Sequence, residues 1–411
     1  MIKWITSRLG TCGMTQLPAL KEGQVIVDVR DMVDKEGNSF QLIDDKISET
    51  ISLLDQNKTV IICCDYGLSR SNSIAVGVMM KWKKMSFDDA VRAVVAVVDE
   101  KGIKLGMLSS VFKAMGAASQ AGHKKSGILV TGSTGFIGKS LLQDESKNDG
   151  LNFIPIPHDN FDLRNNILIL DSLVKTHSVK AILHLANPRV YTNNDCIGDS
   201  ILMLKNVLDV CKENNLKLIY VSSWEVFSGY VSSELCADEN VKPFPKGTYG
   251  ESKWLGDQLV EQYSKLYDLE FLTLRSSPIY GTLSDKPKFM YTFITKALNG
   301  DPIFTHRYKN GSASLDLLYI DDFVDGLRAA IRSSCNGVFH FGSGEYTSTH
   351  AVAELIIKET GSPSKLDFHD VDATFPGLRM NYAKATRLLN WRPKVRFQEG
   401  LRRLLENRRQ A

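Results

Sequence analysis

No apolar run in this 411-residue chain reaches the ~20 residues that cross a bilayer, so a membrane-spanning helix is not expected. There is no Lys/Arg block of the kind that binds nucleic acid. Arg402, Arg403, Arg408 and Arg409 in the last turns fit a solvated helix face, and the formal net charge of +3 is close to neutral. Seven cysteines are scattered and odd in number, without zinc-like pairs or a disulfide framework. With no apolar h-region after Met1, that argues for a reducing, cytoplasmic setting. Internal repeats and low-complexity tracts are missing too. What is present is 43% hydrophobic and 24% charged residues, as in a soluble globular protein, over a length that fits two domains.

The organisation agrees. Residues 24–28 and 59–63 are β-branched apolar runs of the buried-strand kind, and 42–55, 71–84 and 87–98 show helical spacing of apolar positions. This predicts a first α/β domain over 1–116. Residues 117–126 are small, polar and glycine-containing, as in a linker. A new pattern starts at Gly127. Strand-like runs at 127–131, 153–157, 180–185, 216–222 and 270–275 alternate with helical stretches, notably 198–213 and 248–267. That alternation predicts a Rossmann, doubly wound domain over 127–411, with a smaller substrate lobe from about residue 280.

Each domain carries a loop suited to phosphate. In the first, Cys64-Asp65-Tyr66-Gly67-Leu68-Ser69-Arg70-Ser71 joins a buried strand to an amphipathic helix. Backbone N–H groups converge at such a helix start, and the field there favours anions and lowers a cysteine pKa. Gly67 permits tight curvature, Arg70 can grip two phosphate oxygens, and the Ser71 hydroxyl can donate to a leaving thiolate. The stretch resembles the dual-specificity protein phosphatases, with their Cys-x5-Arg-Ser/Thr signature, over residues 1–116. The resemblance implies Cys64 as nucleophile, attacking a phosphate ester through a phosphocysteine, and Arg70 as phosphate clamp. It also implies an aspartate general acid some thirty residues earlier. Asp34 fits best by spacing, with Asp31 as the alternative. The chain departs from the family at Cys63, where a histidine usually organises the loop.

In the second domain, Gly132, Gly135 and Gly138 follow the strand 127–131 and open a helix, which is the context a dinucleotide-binding turn requires. His184-Leu185-Ala186 ends a later strand, Tyr220–Phe227 holds a Ser-Ser strand end, and Tyr249-x3-Lys253 places two side chains on one helix face. Asp316–Asp322 and Trp391-Arg392-Pro393 follow in order. Together these resemble the extended short-chain dehydrogenase/reductases, the NAD-dependent epimerase/dehydratase family, over 127–408. The local flavour is similar to dTDP-4-dehydrorhamnose reductases. The resemblance implies hydride transfer with Tyr249 as acid/base, Lys253 lowering its pKa and binding the nicotinamide ribose, and Ser223 holding the reacting oxygen. Gly132, Thr134, Gly135, Phe136, Ile137 and Gly138 would cradle the dinucleotide, with Leu185 and Ala186 beneath it and Asp162-Leu163 at the adenine. Asp159 is the candidate acceptor for the adenosine ribose, so NAD is favoured over NADP.

The implied substrate is a nucleotide sugar. Leu315 and Pro278 stand where many epimerases carry Arg and Asn facing the substrate; Arg275, Arg307 and Lys309 are charges that could meet phosphates or simply face solvent. Trp224-Glu225 replaces the Asp-Glu of dehydratases, which makes dehydration the least favoured reaction. The expectation is a bifunctional cytoplasmic fusion of sugar-nucleotide epimerase or reductase and cysteine phosphatase. It has no metal and takes small-molecule partners, and a homodimer is left open. The alternative is an NAD(P)H-sensing regulatory protein that controls a signalling phosphatase or phosphate-binding module.

Overall fold

The computed structural model describes residues 1–116, 126–143, 150–156, 161–188, 190, 193–231, 235–284, 289–375 and 377–410. Asp159 and residues 117–125 of the expected linker lie outside the described residues. The chain groups into two compact units. The first comprises Met1–Ile128, Asn160–Lys180 and Asp209–Leu216; the second comprises Leu129–Asp159, Ala181–Leu208 and Lys217–Ala411.

The first unit is built on a four-stranded sheet in the order Lys3–Trp4, Leu9–Gly13, Thr59–Cys64, Gln24–Asp28. Thr59–Cys64 runs parallel to both neighbours, so its C-terminal end opens where parallel strands usually present a site. Helices Phe40–Asp55 and Phe87–Val95 start on serine caps: Ser39 accepts the Leu42 N–H and Ser86 the Asp89 N–H, each at 3.1 Å. Ile43, Ile47, Ile62, Ile74, Val78, Met107 and Val111 form the core with Leu168 and Ile169 of helix Ile167–Thr176. Gly77 lets helix Arg70–Lys83 approach Ile47; any Cβ there would collide with the isoleucine side chain.

Two connections fix helix Ile167–Thr176 within this unit. The Glu100 carboxylate accepts the Ile167 N–H at 2.8 Å, serving the helix start in place of a side-chain cap from Asn166. Burial pushes the Glu100 carboxyl up to about 7, against the pull of the helix N–H groups and Asn166. Further along, buried Asp171 is paired with Lys175 and accepts from Asn214 at 2.7 Å.

A six-stranded sheet, most of whose residues belong to the second unit, has the order Gly337–Phe341, Phe271–Ser276, Lys217–Ser223, Val179–His184, Gly127–Thr131, Asn152–Pro155. Numbered along the chain this is 6-5-4-3-1-2. The order therefore reverses between Gly127–Thr131 and Val179–His184, and such a switch point opens a crevice at the strand ends. The late landmarks meet each other: Asp322 accepts the N–H groups of Lys394 (3.0 Å) and Val395 (2.9 Å), while Trp391 Nε1 donates to the Asp322 carbonyl at 2.8 Å. Among the described residues no helix is long and apolar enough to cross a membrane, and no cluster of three or more His, Cys, Asp or Glu could hold a metal.

Candidate functional sites

Cys64 closes the central strand of the first unit, and the chain then turns sharply towards the helix that Arg70 opens. The turn is pressed against the neighbouring strand. Gly67 has φ +67°, and a Cβ on it would strike the backbone of Cys12 and Gly13; a Cβ on Gly13 would lie 2.7 Å from the Tyr66 carbonyl carbon. Only glycine fits either position. The Cys64 sulfur is buried, accepts the Gly67 N–H at 3.2 Å and lies 3.4 Å from the Ser71 hydroxyl. Burial pushes the thiol up, but the Ser71 hydroxyl and the N–H groups of Ser71, Leu68 and Gly67 together outweigh it, so the thiol sits below its ordinary range.

Cys63 points to the other face of the sheet, among Cys12 and Ile61, and burial pushes its thiol up to about 12. It fills a core position and donates nothing to the loop. The Arg70 guanidinium donates to the carbonyls of Met32 (2.9 Å) and Arg30 (3.1 Å) and is paired with the Asp65 carboxylate. Of the two candidate acids, Asp34 pairs with Lys104 at 3.0 Å, and the Lys104 N–H donates to the Ser69 hydroxyl at 3.1 Å, so Lys104 joins Asp34 to the loop. Asp31 is instead paired with Lys46 at 3.0 Å.

In the second unit, strand Gly127–Thr131 leads into the glycine turn and helix Phe136–Gln143. Gly132 has φ +68°, and its missing Cβ would lie 2.7 Å from the Ala186 nitrogen and 2.8 Å from the Leu185 carbonyl carbon. Gly138 would bring a Cβ to 2.7 Å from Ser133 Cα, whereas Gly135 would meet only the Gly132 carbonyl at 3.3 Å. The first and third glycines therefore serve packing. The middle of the turn, with Thr134 and Gly135 exposed, keeps its backbone open to an anion. Phe136 and Ile137 are half-buried behind it. Thr131 ties the two strand ends at the switch point: its hydroxyl accepts the Ala186 N–H at 3.3 Å and lies 2.8 Å from His184 Nδ1. Burial, with the Lys253 charge, holds His184 neutral with its pKa down at about 3, so it works as a core hydrogen-bonding residue.

Ser223 ends strand Lys217–Ser223, and its hydroxyl accepts the Glu225 N–H at 3.1 Å. Helix Thr248–Tyr267 carries Tyr249 and Lys253 one turn apart. Lys253 Nζ donates to the carbonyl of Val221, two residues before Ser223, at 3.0 Å and lies 5.7 Å from the Tyr249 ring centre. Burial lowers the Lys253 pKa to about 8.

The remaining candidates have partners of their own. Asp162 and Leu163 lie in the segment grouped with the first unit. The Asp162 carboxylate takes both Nε (3.0 Å) and Nη2 (2.9 Å) of Arg164, which holds it below the usual range. Arg307 and Lys309 are exposed partners of Asp370 and Asp372, each at 2.6 Å. Arg275 is buried and donates Nε to Asp257 at 2.8 Å, so it is not a surface phosphate contact. Asp316 is buried and accepts the N–H groups of Ser343 (2.6 Å) and Met380 (2.9 Å), a bracing role. Sequence reasoning missed Asp257; its place one turn beyond Lys253 was the available signal.

The chain is similar to known proteins across this second region. The UDP-glucuronate 4-epimerase of Thermodesulfobacterium geofontis is 27% identical over 64% of this chain and 80% of its own. Two solved structures share the fold. The UDP-glucose 4-epimerase of Thermus thermophilus in complex with NAD has a TM-score of 0.62 at 23% identity, covering 69% of this chain and 99% of its own. The UDP-glucuronic acid 4-epimerase of Bacillus cereus in complex with NAD has a TM-score of 0.59 at 25% identity, covering 69% and 96%. The model of the NAD dependent epimerase/dehydratase family matches residues 128–342, more than half of the sequence, and the chain belongs to that family.

Proposed function

We propose that the chain is an NAD(P)-dependent sugar-nucleotide epimerase or reductase, with NAD the favoured cofactor, and that its cysteine loop is a second catalytic site for phosphate esters. The observation that carries the first part is Lys253, which lies beside Tyr249 on its own helix and donates to the Val221 carbonyl two residues before Ser223, in a sheet whose switch point carries the glycine turn. The turn suits a pyrophosphate, because Gly132 and Gly138 admit no side chain while the backbone at Thr134 and Gly135 is open. When bound, the nicotinamide supplies the hydride chemistry. The residues do the rest. The N–H groups of the glycine turn hold the anion, and Leu185 and Ala186 support the nucleotide from the neighbouring strand. Ser223 orients the sugar oxygen by hydrogen bonding, and Tyr249 moves the proton at that oxygen. The Lys253 ammonium stabilises the phenolate of Tyr249 and so lowers the cost of that transfer. A nucleotide-sugar substrate is supported by the epimerase relatives. Epimerisation or reduction is favoured over dehydration because Trp224-Glu225 lacks one acid of a dehydratase pair.

The phosphatase reading rests on Cys64, with its lowered thiol and three converging N–H groups. The thiolate attacks phosphorus, the leaving oxygen takes a proton from Asp34, and water then releases phosphate from the sulfur. Mass spectrometry of the small molecules that co-purify with the full chain tests the first part. NAD(P) is expected, and Tyr249→Phe should keep the nucleotide while losing turnover of the matching sugar nucleotide. Full turnover by that variant sinks the acid/base assignment. Hydrolysis of p-nitrophenyl phosphate, lost in Cys64→Ser, tests the second part. A wild-type protein inert towards sugar phosphates, phosphopeptides and this ester would end the phosphatase reading.

A further inference from the structure

One turn beyond Lys253, helix Thr248–Tyr267 carries an aspartate that the scheme above does not use. Asp257 is 1% exposed and Lys253 6%. Their i, i+4 spacing puts the side chains next to each other on the helix face turned to the sheet, about 6 Å apart at Cβ. From the sheet, Arg275 on strand Phe271–Ser276 donates Nε to Asp257 Oδ2 at 2.8 Å. The guanidinium packs on the rings of Phe227 (5.4 Å) and Trp254 (6.0 Å), which fixes it against the carboxylate.

A buried ammonium is costly unless an opposite charge stands nearby. Among the described residues Lys253 has one hydrogen-bond acceptor, the Val221 carbonyl, for three N–H groups. The titratable groups around it come from four elements. His184 on strand Val179–His184 is neutral, with its pKa near 3. Burial pushes up both the Cys196 thiol on helix Asp195–Asn214 and the Tyr220 phenol on strand Lys217–Ser223. Tyr249 and Asp257 share the helix of Lys253 itself. Asp257 is the carboxylate among these neighbours, and its charge acts to raise the Lys253 pKa against burial. Burial outweighs the other causes and raises the Asp257 carboxyl above its ordinary range, while the Arg275 charge and hydrogen bond, the Ser222 hydroxyl and the Lys253 charge pull it back down.

We infer that Asp257 is the positioning residue that keeps Lys253 an ammonium beside Tyr249, with Arg275 holding Asp257 ionised. The three groups alternate in sign: guanidinium, carboxylate, ammonium. Removing the middle one leaves two buried cations with no anion between them. This rests on the Tyr249–Lys253 reading above and adds the group that sets its working pH. By Coulomb's law at ~6 Å with an effective dielectric of ~20, losing the Asp257 charge lowers the Lys253 pKa by about two units.

The test is a fluorescence titration of the full chain with NADH and NADPH from pH 6 to 10, which reads nucleotide affinity without any sugar substrate. In the wild type, affinity should fall as pH rises through about 8, where Lys253 loses its proton. In Asp257→Asn that step should move towards acid by about two units, weakening binding at pH 7.5 by roughly tenfold or more. Asp257→Glu, which keeps the charge, should restore the wild-type step. Lys253→Met should erase the step in both backgrounds and so assign it. Because Asp257→Asn leaves Arg275 unpaired, Asp257→Asn/Arg275→Gln is measured beside it. Arg275 is not among the charges acting on Lys253, so the same acid shift is expected. A folded Asp257→Asn or double variant with its step at the wild-type pH overturns the inference. A wild-type protein that binds neither nucleotide at any pH instead brings down the cofactor reading, and this inference with it.

Discussion

Replacing Ser71 with alanine tests whether the first loop activates its cysteine by the means the structure suggests. The Ser71 hydroxyl lies 3.4 Å from the Cys64 sulfur, within range for a sulfur acceptor, and is the largest of the contributions that lower the thiol. A hydrogen bond to a charged group contributes about 1.5–3 kcal/mol. At this separation the low end applies, which corresponds to about one pKa unit and a tenfold loss of thiolate below the inflection. The sign is definite: the donor favours the ionised sulfur, so removing it moves the inflection to higher pH. The shift stays partial, because alanine keeps the backbone N–H at position 71 and Gly67 still donates at 3.2 Å. The assay is the rate of iodoacetamide alkylation against pH, read peptide by peptide by mass spectrometry because Cys236 is exposed and will also react. Cys63 serves as an internal control, since its thiol at about 12 should stay silent throughout. An unchanged Cys64 inflection in a folded Ser71→Ala protein would refute the reasoning.

The glycine turn gives a differential prediction. Gly132→Ala meets both a φ of +68° and the backbone of Leu185 and Ala186, at about 1–2 kcal/mol for the conformation and about 1–3 for overpacking, so both Tm and NADH binding should fall; Gly135→Ala, with only one 3.3 Å contact, should leave Tm nearly intact, and equal losses would contradict the geometry. Asp65→Asn removes the carboxylate that Arg70 now holds, so the loop should bind orthovanadate several-fold more tightly by isothermal titration; unchanged or weaker binding would mean that the pair does not compete with an oxyanion. Glu100 has its folded pKa raised from 4.5 to about 7, so its contribution to stability is full below about 4.5 and is lost as pH rises through about 7; Glu100→Gln should flatten that decline in urea unfolding at pH 5 and 8, and an unaltered slope would remove Glu100 as its source.

Much of the second domain was legible because its signals are local. Three glycines in seven residues after a strand, and a tyrosine and lysine one turn apart, need no knowledge of distant chain. Helix Thr248–Tyr267 falls where its periodicity puts it. Elements without a local signal were missed. Helix Ile167–Thr176 is buried along most of its length, so it carries no polar stripe to mark a helical period. Strand Leu9–Gly13 contains two glycines, which depress strand propensity. One of them, Gly13, is there because the Tyr66 backbone leaves no room for a side chain. The residue that hides the strand from a sequence reader is thus the one that lets the cysteine loop fold against it.

Charged residues show the same limit most sharply. Arg275, Arg307 and Lys309 are alike in sequence, three cations in the region where a phosphate might bind. The fold separates them by burial. Arg307 and Lys309 face solvent beside aspartates, where an ion pair contributes little. Arg275 is 3% exposed, and an unpaired guanidinium there would cost several kcal/mol, so its presence requires a carboxylate within reach. That carboxylate is Asp257, eighteen positions earlier on a different element. Asp322 makes the same point over a longer span, because the N–H groups its carboxylate accepts belong to Lys394 and Val395. A motif names the residues that touch a ligand. The residues that set their charge and position are found only once burial is known, because burial makes the partner obligatory.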